Sequence, residues 1–283
     1  MAIYKSGKND EYYVLKTGHD GERRLDLLHE VYGPSTERLL IEIGLKSGMS
    51  IADIGCGLGA VTCFMAEQTG PEGNVLGVDN SVEQLNIARE EARRQGLTNV
   101  RFVEANVYST GFTRESFDMV FARSLMSHLQ HPLEALYEMS ALVRPGGVLI
   151  CEDIDMATIF SDPPTPEYGK MVQLLLALGK ERKADYREGC HLPELFKKVG
   201  YPQPQVRKDQ PEYRTGEAKR YWEYTLYEVA PAMMKAGIIT QAELNDLSSG
   251  LERIGIDDTT IIAQAVKTQV WAFKGKPDDS KRD

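Results

Sequence analysis

The chain has 283 residues, with 33 Lys plus Arg against 42 Asp plus Glu, a formal net charge of −9 and 42 % hydrophobic residues. This globular composition excludes fibrous and disordered classes, and the acidic balance argues against a protein that coats phosphate backbones. A chain this long buries enough apolar surface without a disulfide or metal staple.

The first residues, MAIYKSGKNDEYYVLK, are too polar and too acidic for a signal peptide, and the longest apolar run, around Leu174–Leu178, falls short of a membrane span. Cys56, Cys63, Cys151 and Cys190 show no C-x-x-C spacing, so no zinc or dithiol centre is expected. A soluble cytoplasmic protein that binds neither membrane nor nucleic acid, and holds no metal, is the expectation.

Two amphipathic helical segments, Gly21–Tyr32 and Ser35–Gly44, are predicted first, split at Gly33-Pro34, which a helix interior tolerates poorly. Residues 1–46 read as an N-terminal helical cap. Ser50–Ile54 is then a short strand stopped by glycines, followed by a helix over Ala60–Gln68. Asn74–Val78 is a second strand ending at Asp79, and Ser81 caps a helix that runs to Arg94 and closes at Gly96. Val100–Val103, Phe117–Phe121 and Val148–Cys151 are further strands, with a helix over Leu133–Leu142 before the last.

Beyond Asp155, Pro163-Pro164 and Pro166 break the rhythm. Helices over Tyr168–Arg182 and Leu192–Val199, a strand over Gln205–Gln210, a helical stretch over Gly216–Ile254 and a closing strand over Ala263–Phe273 follow. The alternation predicts an α/β fold: a doubly wound, mostly parallel, seven-stranded Rossmann-like sheet. Its core covers residues 47–212 and 261–275, residues 213–260 are inserted between the last two strands, and residues 276–283 form a disordered tail. The insertion reads as a lid over the carboxyl ends of the strands, or as a helical pair that packs and dimerises.

The strongest chemical signal is Asp53-Ile54-Gly55-Cys56-Gly57-Leu58-Gly59, between a strand and a helix. Glycines there allow a sharp turn and close approach of a ligand to free helix N–H groups. Ala60 falls where a dinucleotide fingerprint tolerates a small residue, so spacing alone does not exclude NAD. Asp53 suits a ligand cation such as an amino-acid ammonium. Asp79, 24 residues after Gly55, stands where a carboxylate can accept both hydroxyls of a ribose, or else caps the next helix.

With these motifs in order, and with the turn Leu142-Val143-Arg144-Pro145-Gly146-Gly147 entering the fifth strand, Gly48–Asp153 resembles the class I S-adenosylmethionine-dependent methyltransferases of small molecules. The resemblance implies that Gly55, Cys56, Gly57 and Gly59 hold adenosylmethionine, with Asp53 near its amino-acid end, and that Asp79, Asn80 and Gln84 lie along the ribose. Where relatives carry an acidic residue for the adenine amino group, this chain has Asn106, whose carbonyl can accept the same bond, and Val107 packs on the ring. Arg123 and Ser124 are placed beside the methionine part, and Tyr13, in the cap, closes over the sulfonium by a cation–π contact or packs the cap on the sheet.

Methyl transfer needs mainly an aligned nucleophile and excluded water, with a base only if the acceptor arrives protonated. His128, Glu152 and Asp153 are the catalytic candidates at the strand ends, with His29 and His191 on the cap or lid side. The aromatic run Arg220–Tyr227, with Tyr186, Arg187 and Arg214, suits an aromatic or anionic small-molecule acceptor, or forms core. A nicotinamide-dependent oxidoreductase and a non-catalytic adenosylmethionine-binding protein are the alternatives. The acceptor atom and the oligomeric state, a dimer included, stay open.

Overall fold

A computed structural model describes residues 19–275, with side chains from Arg23 onward, so Tyr13 and the 276–283 tail lie outside the described residues. The first element is α1 (His19–Glu42), followed by β1 (Ser50–Ile54), α2 (Ala60–Thr69), β2 (Asn74–Asp79), α3 (Val82–Arg94), β3 (Val100–Glu104) and β4 (Phe117–Arg123). Then come α4 (Pro132–Leu142), β5 (Val143–Asp155), β6 (Phe160–Asp162), α5 (Pro166–Glu181), α6 (Glu188–Lys198), β7 (Gln205–Asp209) and β8 (Glu212–Tyr213). The chain closes with α7 (Tyr221–Lys235), α8 (Gln241–Ile256), β9 (Ile261–Ala263) and β10 (Val266–Phe273).

The main sheet has seven strands in the order β3-β2-β1-β4-β5-β10-β7. β3 through β5 are parallel, and β10 alone runs antiparallel, between β5 and β7. This is the predicted architecture, including helices inserted between the last two strands of the main sheet. The short β6, β9 and β8 form a second, three-stranded antiparallel sheet that the sequence reading did not separate from the closing strand.

The predicted break at Gly33-Pro34 does not occur: α1 runs through Pro34 as one helix. Pro34 removes one backbone donor, whose acceptor would be the carbonyl of Glu30, an exposed residue within reach of water. Against that loss stand two buried halves. Leu27, Leu28, Val31 and Tyr32 enter one apolar cluster with α5, α7 and α8, whereas Leu39 and Leu40 enter another with α2 and the sheet. Their burial outweighs a cost of about 3 kcal/mol for an internal proline.

Cap and insertion therefore share one apolar cluster. Trp222, Leu226 and Met233 of α7, Leu247 and Leu251 of α8, and Met171, Leu175 and Leu178 of α5 share this cluster with the first half of α1, which packs on α7. Of the four aromatic residues of α7, Trp222 is fully buried with Tyr221 edge-on to it at 4.8 Å, whereas Tyr224 is half-buried and Tyr227 exposed.

β5 is longer than predicted at both ends: it begins before the Pro145-Gly146-Gly147 turn, absorbed as an irregularity against β4, and it continues through Asp155 paired with β10. At Gly147 a Cβ would stand 2.7 Å from the carbonyl oxygen of Asp118. Only a glycine lets the two backbones approach this closely.

Candidate functional site

The glycine loop leaves β1 and folds back against the tip of β2. The amides of Gly55 and Cys56 both donate to the carbonyl of Val78, at 2.7 and 2.9 Å. Gly55, Gly57 and Gly59 have φ of +74°, +54° and +79°, the left-handed region that favours glycine. Their roles differ. A Cβ on Gly55 would press Leu125, and one on Gly57 would come 3.1 Å from Oε1 of Gln84, so both sit at a cavity wall. A Cβ on Gly59 would stand 2.9 Å from Cβ of Ala88 and from the Phe102 ring; Gly59 lies behind the wall and lets α2 pack on α3 and β3.

This loop borders a cavity of about 480 Å³. Asp53, Gly55, Cys56, Gly57, Asp79, Asn80, Gln84, Asn106, Val107, Arg123, Ser124 and His128 all line it, so the fold brings together the residues that the motifs singled out, apart from Gly59, Glu152 and Asp153.

Asp53 is buried, and its Oδ2 accepts the Thr62 hydroxyl at 2.5 Å. Burial pushes its carboxyl up to about 6, with the Thr62 hydrogen bond and nearby Arg123 opposing the rise. Asp79 accepts from the Gly57 amide on one oxygen and from the Ser81 amide on the other, both at 2.9 Å. Desolvation raises its carboxyl too, against those bonds. Ser81 caps α3 through Gln84 N, so the alternative reading of Asp79 as the cap gives way to a carboxylate tied to the glycine loop. The Oδ1 of Asn106 accepts from its own loop, at Tyr108 N, 2.9 Å. Burial pushes the Cys56 thiol up, which makes it an unreactive wall.

Ser124 holds a φ of +52°, rare for a residue with a side chain, and its amide donates to the carbonyl of Glu152 at 2.8 Å. The strained turn after β4 directs the chain across the cavity mouth to the helical turn Met126–His128. There His128 meets Tyr186 edge-on at 5.8 Å, and desolvation, with Arg24 and Arg182 nearby, lowers its imidazole to about 4.

The far half of the cavity is roofed by helices: Arg24, Leu25, Asp26 and Leu28 from α1, Leu175 from α5, and Tyr221, Thr225 and Val229 from α7. Arg24 is buried and donates from Nε to Glu228 of α7 at 2.8 Å, joining cap to insertion.

Two catalytic candidates stand away from this space. Asp153 is fully buried and accepts from the amides of Ser127 and Ile154, at 3.0 and 2.8 Å, while burial raises its carboxyl to about 6. Glu152 faces the opposite side of the sheet, among Thr36, Lys267 and Gln269. Adjacent residues of a strand point to opposite faces, and both faces at this position are covered by helices. His29 and His191 also lie off the cavity, beside Glu37 at 3.5 Å and Asp185 at 3.4 Å. Arg187 pairs with Asp155, and Arg214 is exposed.

The family described as a methyltransferase domain matches residues 45–218, more than half of the chain. The chain belongs to the methyltransferase domain family. The motifs and the family agree on S-adenosylmethionine as the cofactor, and the nicotinamide reading is left without support. The demethylmenaquinone methyltransferase of Lactococcus lactis subsp. lactis (strain IL1403) is 27 % identical over 198 residues, which cover 64 % of this chain and 75 % of that one. Methyltransferase GfsG of Streptomyces halstedii is 30 % identical over 177 residues, 62 % of this chain and 61 % of that one. The chain thus spans less than two thirds of the second relative. A crystal structure of a putative methyltransferase from Bacillus halodurans C-125 superposes with a TM-score of 0.60 at 15 % identity, over 86 % of this chain and all of that one, which supports the fold.

The residues present fit adenosylmethionine. The glycine loop brings bare backbone to the cavity at Gly55 and Gly57, where Leu125 and Gln84 leave little room for a Cβ, and Asp53, Asp79 and Arg123 line the same cavity with two carboxylates and a cation. Among the described residues no His, Cys, Asp and Glu cluster could hold a metal ion, and no helix is long and apolar enough to cross a membrane.

Proposed function

We propose that this chain transfers a methyl group from S-adenosylmethionine to a nucleophilic O, N or C atom of a small-molecule acceptor enclosed beneath α1, α5 and α7. One observation carries the reading: the glycine loop with Asp53 and Asp79, and the helix-roofed chamber with Leu28, Leu175, Tyr221 and Val229, line the same cavity. The cofactor supplies an electrophilic methyl group on a sulfonium. Asp53 would hold the ammonium of its amino-acid end, with Arg123 and Ser124 beside it, Asp79 with Asn80 and Gln84 the ribose, and Asn106 with Val107 the adenine.

The chain's own residues supply enclosure and orientation. α1 and α7, joined through Arg24 and Glu228, keep water from the chamber, and the Tyr186 and Tyr221 rings with Leu28 and Val229 offer faces suited to an aromatic or amphipathic body. His128 is the residue we assign to proton acceptance because it lines the cavity; desolvation lowers its imidazole to about 4, so it would serve an acceptor whose proton becomes acidic as the methyl group is transferred. Glu152 and Asp153 do not share that role. The roof also excludes macromolecular acceptors, and residues 213–260 serve as the lid.

Titration calorimetry of S-adenosylhomocysteine, with Asp79→Ala as control and NADH as competitor, tests the cofactor half. Transfer of labelled methyl groups into a metabolite extract tests the acceptor half. Binding of NADH in place of S-adenosylhomocysteine, or label appearing in macromolecules, would overturn the respective half.

A further inference from the structure

Behind Arg123, on the side of the sheet covered by α1, lies a polar cluster that no catalytic step above uses. Thr36, Glu152, Lys267 and Gln269 are each at most 1 % exposed, and none of them lines the cavity. The Thr36 hydroxyl meets Oε2 of Glu152 at 2.5 Å, accepts from Nζ of Lys267 at 3.0 Å and lies 3.5 Å from Nη1 of Arg123. Lys267 also donates to the carbonyl of Tyr32 at 2.8 Å and faces Glu152 at 3.4 Å. Gln269 holds the other oxygen of Glu152 and reaches the carbonyl of Ser35 at 3.3 Å. Three elements thus meet at one hydroxyl: the roof helix α1, the strand tip of β5 and the closing strand β10.

We propose that Glu152, Lys267 and Thr36 are positioning residues that hold the Arg123 guanidinium toward the cavity, where it receives the carboxylate of the cofactor's amino-acid end, and that the same contacts set α1 over that cavity. The inference rests on the reading that the cavity binds adenosylmethionine. A buried ion pair is a poor device for stability alone, since desolvation offsets the attraction and an apolar pair packs as well. Charge placement explains it better. Glu152 interacts with two cations, Lys267 at 3.4 Å and Arg123 in the register position beside it on β4, while Arg123 is also drawn by the carboxylates of Asp53 and Glu37. Without Lys267, Glu152 has only Arg123 for a countercharge and draws it back from the cavity wall. With Lys267 in place, the carboxylate is already satisfied, and the guanidinium stays available to a ligand.

The test compares two ligands by calorimetry. S-Adenosylhomocysteine carries the carboxylate and ammonium; 5′-methylthioadenosine keeps the adenosine and the thioether sulfur without either charge. Lys267→Met is expected to weaken S-adenosylhomocysteine about tenfold and to leave 5′-methylthioadenosine within about twofold. Thr36→Val, which keeps the side-chain shape and removes the shared hydroxyl, is expected to act in the same direction by about threefold, and it carries the test if Lys267→Met does not fold. In an Arg123→Ala background both substitutions should change S-adenosylhomocysteine affinity less than about twofold. Equal losses for the two ligands, or undiminished losses in the Arg123→Ala background, would reduce the cluster to a structural role and overturn the proposal. A chain that binds neither ligand before substitution overturns the function proposed above and this inference with it, whereas normal binding without the selective loss overturns this inference alone.

Discussion

Oδ2 of Asp79, at the tip of β2, accepts a hydrogen bond from the Gly57 amide 2.9 Å away in the loop that follows β1. The carboxylate proposed to meet the ribose thus also fixes the loop proposed to cradle the rest of the ligand. Asp79→Ala is therefore expected to lose more than a single ligand contact. S-Adenosylhomocysteine affinity should fall by about a hundredfold, and stability by about 1–2 kcal/mol from the unpaired amides of Gly57 and Ser81. Calorimetry and urea denaturation separate the two losses, and affinity within a few fold of the original would remove Asp79 from the site.

Gly59 separates packing from binding. An alanine there would adopt φ near +79° and press its Cβ on Ala88 and Phe102. We expect Gly59→Ala to destabilise the chain by about 2–4 kcal/mol, combining a strained backbone with overpacking. Denaturant melts should show the drop, with ligand affinity of the remaining folded fraction changed little because Gly59 does not line the cavity.

Asp53 gives the site a dependence on pH. Its folded carboxyl titrates at about 6, above the ordinary 3.8, so the folded chain holds a proton there that the unfolded chain has released. Asp53 thus makes the ligand-free fold lose stability as pH rises from about 4 to 6. Binding runs the opposite way, because the ligand's ammonium favours the ionised carboxylate. S-Adenosylhomocysteine affinity should climb through about pH 6 and level off above it, and Asp53→Asn should flatten the curve. Calorimetry between pH 5 and 8, a range of about three units around that value, checks both.

His128 has the opposite linkage. Its folded imidazole titrates at about 4 against an ordinary 6.5, so between these values the unfolded chain binds the extra proton. Stability from this residue is present above pH 6.5 and is lost as pH falls toward 4. His128→Gln should reduce that acid-side loss in urea melts at low pH, while slowing methyl transfer to any acceptor that arrives protonated. An unchanged slope would show that the histidine is not buried as described.

The Arg24 and Glu228 pair joins α1 to α7 with both side chains under 10 % exposed. Glu228→Ala leaves the guanidinium without that carboxylate and should cost about 3 kcal/mol, whereas Arg24→Met with Glu228→Leu together should recover most of it. Thermal melts of the three variants decide the matter. A double variant as unstable as the single one would mean that the pair does more than tie the helices together.

The parts of this site that were legible in the sequence are those where a backbone demands a particular residue. Gly55, Gly57 and Asp79 announce themselves by spacing, and Pro145-Gly146-Gly147 marks the entry of β5. Glu152 and Asp153 misled because neighbours on a strand face opposite ways, and the sequence does not show that helices cover both faces. The continuity of α1 was hidden by Pro34, whose local cost is overruled by burial that only the assembled molecule reveals. Lys267 and Gln269 carried a signal that went unused: they share one face of β10 within a polar run, Lys267-Thr268-Gln269, that interrupts an apolar strand, with Gln269 in register with Glu152.

β10 lies between β5 and β7, and its Lys267 clamps Tyr32 and Thr36, more than 230 positions earlier in the chain. A nascent chain leaving the ribosome has made α1, α7 and α8 before it makes the strand whose Lys267 holds α1. Until then β5 and β7 cannot be joined, and beside its proline α1 is tied to the sheet through Thr36 and Glu152 without the ammonium of Lys267. The contact between the roof helix and this edge of the sheet is thereby completed only after β10 has been made, and damage to a few residues of that one strand would be felt more than 230 positions earlier in the chain.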